Sequence, residues 1–378
     1  MRYEELYHTE EVKPKGLLAF FHLDTVLTFL IFMLTLFSLL VLYSASNHNM
    51  DYVMSQAMKI IGGFVMMIVI AFIPPERIKQ LTPIFYLIAL LLLLAVIFIG
   101  VEANGAHRWI DLKVMRFQPS ELAKLAVPMM LAYYLHKTNI PPTFTNIVLS
   151  LMIIGIPFAL IFMQPDLGTA IIILFSGVVV LFLGGIQWRY IFIAIMTVAV
   201  AIPSMWFFGL KNYQKDRIIT FLNPELDPLG KGYQIIQSKI AIGSGGIYGK
   251  GWQNSTQVSL QFLPEATTDF IYAIIGEEFG LIGTSLLIIC YLLIIWRGLY
   301  ISLNARDSYF QLVGGAISLV FFFYVFVNTG MVSGILPVVG VPLPFVSYGG
   351  TAIVTLFISF GILMNIYSHP ASITKRIQ

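Results

Sequence analysis

The stretch Thr267-Thr-Asp-Phe-Ile-Tyr-Ala-Ile-Ile-Gly-Glu-Glu-Phe-Gly-Leu-Ile-Gly-Thr-Ser-Leu-Leu-Ile-Ile-Cys-Tyr-Leu-Leu-Ile-Ile-Trp-Arg297 decides how the chain is read. From Phe270 to Trp296 it is apolar over more than the ~20 residues that a helix needs to cross a bilayer. It nevertheless opens on Asp269 and carries Glu277 and Glu278 about two turns inside. Gly276-Glu-Glu-Phe-Gly280 is a small-xxx-small pattern that lets helices approach closely, so one glutamate is expected to pair with a basic group or to cap a broken helix end. A capping role alone would explain Asp269 after two threonines. Its company sets it apart: Gln261, Pro264, Glu265 and several basic groups precede it.

Further runs of spanning length lie at 23–43, 53–73, 84–100, 147–163, 167–183, 190–209, 310–330 and 350–367, with a more polar one at 120–135 that holds Glu121 and Lys124. The chain is 58% hydrophobic and 11% charged, and its mean hydropathy is +0.86. Soluble domains carry roughly 25% charged residues, so lipid must be part of this protein's solvent. The predicted fold is all-α and polytopic, with about ten transmembrane helices and one large extracytoplasmic loop. The first run is expected to be a retained span, because it is too long for a signal-peptide core. A net charge of +3 without a dense basic tract argues against nucleic acid. The single cysteine, Cys290, excludes an internal disulfide.

Lys and Arg set the expected orientation. With the N-terminus inside, the tails and short inner loops hold eleven basic residues, against three (Arg108, Lys113, Arg116) in the short outer loops. Both tails, 1–22 and 368–378, are then cytoplasmic, and the 210–268 segment faces outward. Loops that long usually carry function.

Charges within spans need a reason, since each costs about 2.5–3.5 kcal/mol at mid-bilayer. Glu121 and Lys124 share one helix face at i and i+3, either as a self-neutralising pair or as the floor of a polar cavity. Asp166 follows a proline and opens a helix as an N-cap. Gly243-Ser-Gly-Gly-Ile-Tyr-Gly-Lys-Gly251 lacks the spacing of a nucleotide-binding P-loop, and none of the six histidines has a metal-ligand spacing.

Several stretches together carry a resemblance. They are Gly105-Ala-His-Arg-Trp-Ile-Asp-Leu112, Arg116-Phe-Gln-Pro-Ser-Glu-Leu-Ala-Lys124, Gln164-Pro-Asp-Leu-Gly-Thr169 and Tyr233-Gln-Ile-Ile-Gln-Ser238. Leu263-Pro-Glu-Ala-Thr-Thr-Asp-Phe270, Gly276-Glu-Glu-Phe-Gly280 and Gly340-Val-Pro-Leu-Pro-Phe-Val-Ser-Tyr-Gly-Gly350 follow in order. The sequence resembles the SEDS family (shape, elongation, division, sporulation). The resemblance implies a single ten-span domain in the bacterial cytoplasmic membrane that polymerises lipid II into glycan strands during cell elongation and maintenance of rod shape. It also implies a class B penicillin-binding protein as partner, alongside other elongation-complex membrane proteins. The family's essential aspartate maps onto Asp269, its functional Glu and Lys onto Glu121 and Lys124, and its loop arginine onto Arg108.

In that chemistry Asp269 acts as general base, or alternatively ligates a divalent cation (Mg or Mn) beside the pyrophosphate; the sequence leaves both open. Arg108, Arg116, Lys124 and Lys239 would counter the leaving pyrophosphate, with Asp166, Glu265, Glu277, Glu278 and Ser347 in support. From the residues alone, a flippase or transporter of a lipid-linked precursor competes with the polymerase. Glu121, Lys124 and Glu277 would then line its substrate path.

Overall fold

The computed structural model describes residues 21–103, 106–111, 116–138, 141–204, 206–207, 215 and 232–370. Most of both predicted tails, most of the 208–231 part of the long loop, Lys113 and the Arg116 side chain lie outside the described residues.

In chain order the helices begin with α1 (Thr25–Ala45), α2 (Met50–Ala71) and α3 (Pro75–Ile99). Three short strands follow: β1 (Val101–Ala103), β2 (Ala106–Asp111) and β3 (Arg116–Phe117). Then come α4 (Pro119–His136), α5 (Phe144–Met163), α6 (Leu167–Leu183) and α7 (Trp188–Ser204). Beyond the long segment's α8 (Tyr233–Gly245) and α9 (Thr256–Ser259) lie α10 (Ile271–Leu303), α11 (Ser308–Val332) and α12 (Thr351–Ser368). Seven of these helices are long and apolar enough to cross a membrane. The shorter α6 and α7 and the more polar α4 bring the spans to the ten read from sequence.

Local chemistry explains the boundaries. Asp24, Asn49, Thr143, Asp166 and Asp307 each cap a helix by accepting a backbone N–H with the side chain. Pro75 does not separate α3 from its loop. It occupies the first turn, where its missing N–H costs nothing, so α3 starts nine residues before the predicted run. The small antiparallel sheet β1-β2-β3 between α3 and α4 is a departure from a purely helical expectation; it lies in the polar stretch between the 84–100 and 120–135 runs.

Helices in lipid gain little from hydrophobic contact with one another, so polar side chains and close packing hold the bundle. Asn365 of α12 donates to the carbonyls of Ala71 and Ile73 at 3.1 and 2.5 Å, and Thr82 of α3 meets Tyr309 of α11 at 2.6 Å. Gln164 donates to Leu93 at 3.0 Å, joining α5 to α3. Helices α4, α11 and α12 form the interior, whereas no described side chain of α7 is buried.

The long segment is not a plain loop. Its helix α8 packs on α10 and donates from Ser238 to the Val332 carbonyl at the end of α11, 2.8 Å away. Helix α10 kinks at Gly280 (φ 62°), and the freed amides of Leu281 and Ile282 donate to the carbonyls of Gly246 and Ile247. In return, Lys250 and Gly251 donate to the carbonyls of Glu277 and Glu278. The kink therefore docks the long segment at one end of the bundle and aims it at Asp269.

Candidate active site

Asp269 sits in the last turn before α10, and its backbone is held from two sides. The Asn328 amide of α11 donates to the Asp269 carbonyl at 2.8 Å and to the Val341 carbonyl at 2.7 Å. One residue earlier, the Thr268 carbonyl accepts from the Ser347 hydroxyl at 2.6 Å, and the Thr267 carbonyl accepts from the Tyr348 amide at 2.8 Å. Gly340 supplies the other wall. Its φ of +68° suits glycine, and a Cβ there would lie 3.4 Å from Asp269 Oδ2. The 340–350 segment thus grips the Asp269 turn, and α2 holds that segment in place. Gln56 is fully buried, donating to the Ser347 carbonyl at 3.1 Å and accepting from the Gly349 amide at 3.4 Å.

Among the described residues, no hydrogen bond or ion pair engages the Asp269 carboxylate. Burial, followed by the negative charge of Glu265, pushes it up to about 6, well above the ordinary carboxylate range. Glu265 itself is exposed and accepts from the Thr268 hydroxyl at 2.5 Å.

A cationic group lies on the α6 side. Arg108 of β2 donates to the Pro165 carbonyl at 2.6 Å, and its Nε stands 3.8 Å from the Asp166 carboxylate, without a hydrogen-bond acceptor among the described residues. Asp166 also caps α6 through the Thr169 amide and accepts weakly from Gln118 at 3.4 Å. Helix α6 then abuts the segment that faces Asp269: a Cβ at Gly168 would sit 2.4 Å from the Val339 carbonyl, one residue before Gly340.

Glu121 and Lys124 form a buried 2.6 Å ion pair in the first turns of α4, with the Lys124 ammonium 5.2 Å from the Tyr324 ring centroid. Both line a narrow, mostly apolar cleft with a cavity volume of about 60 Å³ that also touches Pro342, Phe345 and Ser347. A second, larger cleft, with a cavity volume of about 420 Å³, is bordered by Ser46, Asn47, Tyr52, Gln261, Pro264 and Thr267. Ser347 lines the first and Thr267 the second, so the residues that carry Asp269 stand between them.

Other sequence candidates are placed elsewhere. Glu277, fully buried, accepts from Lys250 (2.6 Å), Ser255 (2.5 Å) and both the amide and hydroxyl of Thr256, tying α9 to α10. This matches the expected pairing with a basic group. Glu278 accepts from the Ser44 hydroxyl of α1. Lys239 is exposed and lays its stem over Gly334. Arg116 pairs by backbone with Asp111 across β2 and β3. Sequence reading missed Asn328 and Gln56, although an amide inside an apolar run is itself a signal. Among the described residues, no group of three or more His, Cys, Asp or Glu lies together. Asp269 and Glu265 would thus offer a divalent cation two carboxylates at most, leaving its other ligands to water and substrate.

A multi-pass membrane protein with its unpaired carboxylate, cationic groups and two clefts gathered at one end of the bundle is the class these features define. The FtsW/RodA/SpoVE family, described as cell cycle protein, matches residues 20–372, and the chain belongs to that family. It is 48% identical to the peptidoglycan glycosyltransferase MrdB of Escherichia coli over 94% of this chain and 96% of that one. To the probable peptidoglycan glycosyltransferase FtsW of Geobacter metallireducens it is 36% identical, covering 91% and 94%. Its fold matches a chain from a structure on the coordination of polymerization and crosslinking by a peptidoglycan synthase complex. There the TM-score is 0.82 at 28% identity, covering 91% and 97%. The rod shape determining protein RodA of Thermus thermophilus matches with a TM-score of 0.69 at 25% identity, covering 94% and 98%.

Proposed function

We propose that this chain is a peptidoglycan glycosyltransferase that polymerises lipid II during cell elongation, with Asp269 as general base. The observation that carries the assignment is a carboxylate raised to about 6 and free of described partners, on a turn whose Thr267 borders one cleft and whose hydrogen-bond partner Ser347 borders the other. A base tuned near the working pH both accepts a proton and is largely ionised. In the reaction, a sugar hydroxyl gives its proton to Asp269 as its oxygen forms the new bond to the anomeric carbon. The old bond from that carbon to the diphosphate breaks, and the electron pair leaves on the diphosphate. Arg108, whose Nε has no hydrogen-bond acceptor among the described residues, and Lys124 stabilise that negative charge; Arg116 belongs with them by its place in the same loop.

The domain is a single one spanning the bacterial cytoplasmic membrane, with both termini cytoplasmic and the Asp269 end outward. That places the site where the headgroup of a lipid-linked saccharide lies. A class B penicillin-binding protein that crosslinks the new strands is the natural partner, in keeping with the synthase complex that this fold resembles. The transporter alternative is disfavoured by Glu277, whose carboxylate is consumed by Lys250, Ser255 and Thr256.

The test is polymerisation of labelled lipid II by the purified chain, supplied with a partner whose own active site is inactivated. Wild type should give glycan ladders, and Asp269→Asn, folded and membrane-inserted, should give none. Ladders from Asp269→Asn would remove the base from this mechanism.

A further inference from the structure

One charged side chain within the spans serves none of the roles above. Lys59 lies nine residues along α2, about 14 Å of helix from its start. A cation at that depth reaches upward along the helix toward the interface or finds a partner, because lipid solvates it poorly. No ion pair among the described residues includes Lys59. Its ammonium instead sits 4.1 Å from the centroid of the Tyr348 ring.

That ring belongs to the segment that grips Asp269. The Tyr348 hydroxyl lies 3.2 Å from Ser55 Oγ, one turn above Lys59 on the same face of α2. A further turn up, the Tyr52 ring meets Tyr348 edge-on at 5.0 Å between centroids, and Tyr52 borders the larger cleft. The Tyr348 amide bonds Thr267, two residues before Asp269. A cation, two hydroxyls and an aromatic wall are therefore stacked beside the Asp269 turn, next to the cleft that Tyr52 borders. Lys59, Ser55 and Tyr52 lie on α2 and Tyr348 in the 340–350 segment, whereas Arg108 and Lys124 lie on β2 and α4.

We propose that Lys59, Ser55 and Tyr348 bind the diphosphate of a second polyprenyl-linked molecule, the one that keeps its diphosphate and supplies the attacking hydroxyl. This rests on the polymerase reading, in which two lipid-linked saccharides react. Two diphosphates repel one another and cannot share the Arg108–Lys124 group. A lysine ammonium with neighbouring hydroxyl donors suits a phosphate as a point charge. The saccharide of this molecule would rise into the cleft between Tyr52 and Thr267, beside Asp269.

The experiment counts undecaprenyl diphosphate molecules bound to the full-length chain in detergent, by native mass spectrometry, for wild type, Lys59→Gln and Lys59→Arg. Wild type and Lys59→Arg should hold two, and Lys59→Gln one, with matching thermal midpoints. In turnover assays, Lys59→Gln should raise the half-saturating lipid II concentration about tenfold, the scale of one charge-assisted hydrogen bond. Two molecules on Lys59→Gln, or an unchanged half-saturation, would overturn the assignment. So would displacement of the second molecule by equal phosphatidylglycerol, which marks Lys59 as an anchor for bulk headgroups. Displacement by equal inorganic diphosphate would likewise replace the lipid with a free anion. A wild type that binds two molecules yet makes no ladders counts against the polymerase reading and leaves this site standing.

Discussion

The Ser347 hydroxyl donates to the Thr268 carbonyl at 2.6 Å while accepting the Leu343 amide at 2.8 Å. One side chain thus closes its own turn and fixes the residue before Asp269. Through Gln56 and Asn328 the same arrangement is anchored to α2 and α11. The position of the candidate base is therefore set by three helices and two loops.

Ser347→Ala deletes both bonds and leaves a buried amide without a partner. Such losses cost about 1–3 kcal/mol. The protein should stay folded with a lower thermal midpoint, while glycan polymerisation drops by more than about tenfold as the Asp269 turn loosens. An unchanged rate would show that Ser347 does not position the base.

The pH dependence has a definite sign. Asp269 is raised to about 6, so its ionised, proton-accepting form appears only as pH climbs through that value. Polymerisation should rise between about pH 5 and 7 and level off above. Glu265→Gln removes the second cause of the shift and should move this limb to lower pH, though burial, the larger cause, keeps it above the ordinary range. The folded chain binds the Asp269 proton more tightly than the unfolded chain. The contribution of Asp269 to stability is accordingly full at low pH and is lost as pH rises through about 6. Asp269→Asn should then melt at a higher temperature than wild type at neutral pH, while showing no activity.

Removing either partner of the Glu121–Lys124 pair strands a buried charge, at a typical cost of about 3–5 kcal/mol. Lys124→Met and Glu121→Gln should each lower the thermal midpoint, and the double variant should recover most of it. Polymerisation should not return in the double variant, because the charge facing the diphosphate is gone. Recovery of ladders would reduce the pair to a packing role.

Glu277→Ala releases Lys250, Ser255 and Thr256 together. The segment leading to Asp269 should open more often, so limited trypsin digestion should cut after Lys250 at least several-fold faster than in wild type. Equal cleavage rates would mean that the Gly280 kink alone holds the segment.

Much of the architecture was legible in the residues. Ten apolar runs became ten helices, since a spanning helix must satisfy its backbone internally and so announces itself by length and composition alone. Boundaries were less legible: the run read from 84 becomes a helix that starts at Pro75, because the first turn tolerates proline. The Glu277–Lys250 partnership was foreseeable in kind, but 26 intervening residues hid the identity of the basic group. Lys59 passed as part of an apolar run; only the ring of Tyr348, far along the chain, marks it out.

Asp269, at the head of the stretch that decided the fold, was singled out by sequence through its motif and its place at a helix mouth. What the residue order alone determined was which groups are costly to bury, because hydropathy and charge are local properties. The tertiary structure decided which of those groups are neutralised and which are left to act. Glu277 and Glu121 are paired with Lys250 and Lys124, Glu278 accepts from Ser44 with one oxygen while the other has no partner among the described residues, and Lys239 lies over Gly334. Asp269 is gripped by its backbone from Asn328, with Ser347 holding the preceding residue, and its carboxylate is left without a described donor. Those partnerships join residues up to 234 positions apart, as with Ser44 and Glu278, and such distances close only when the helices pack.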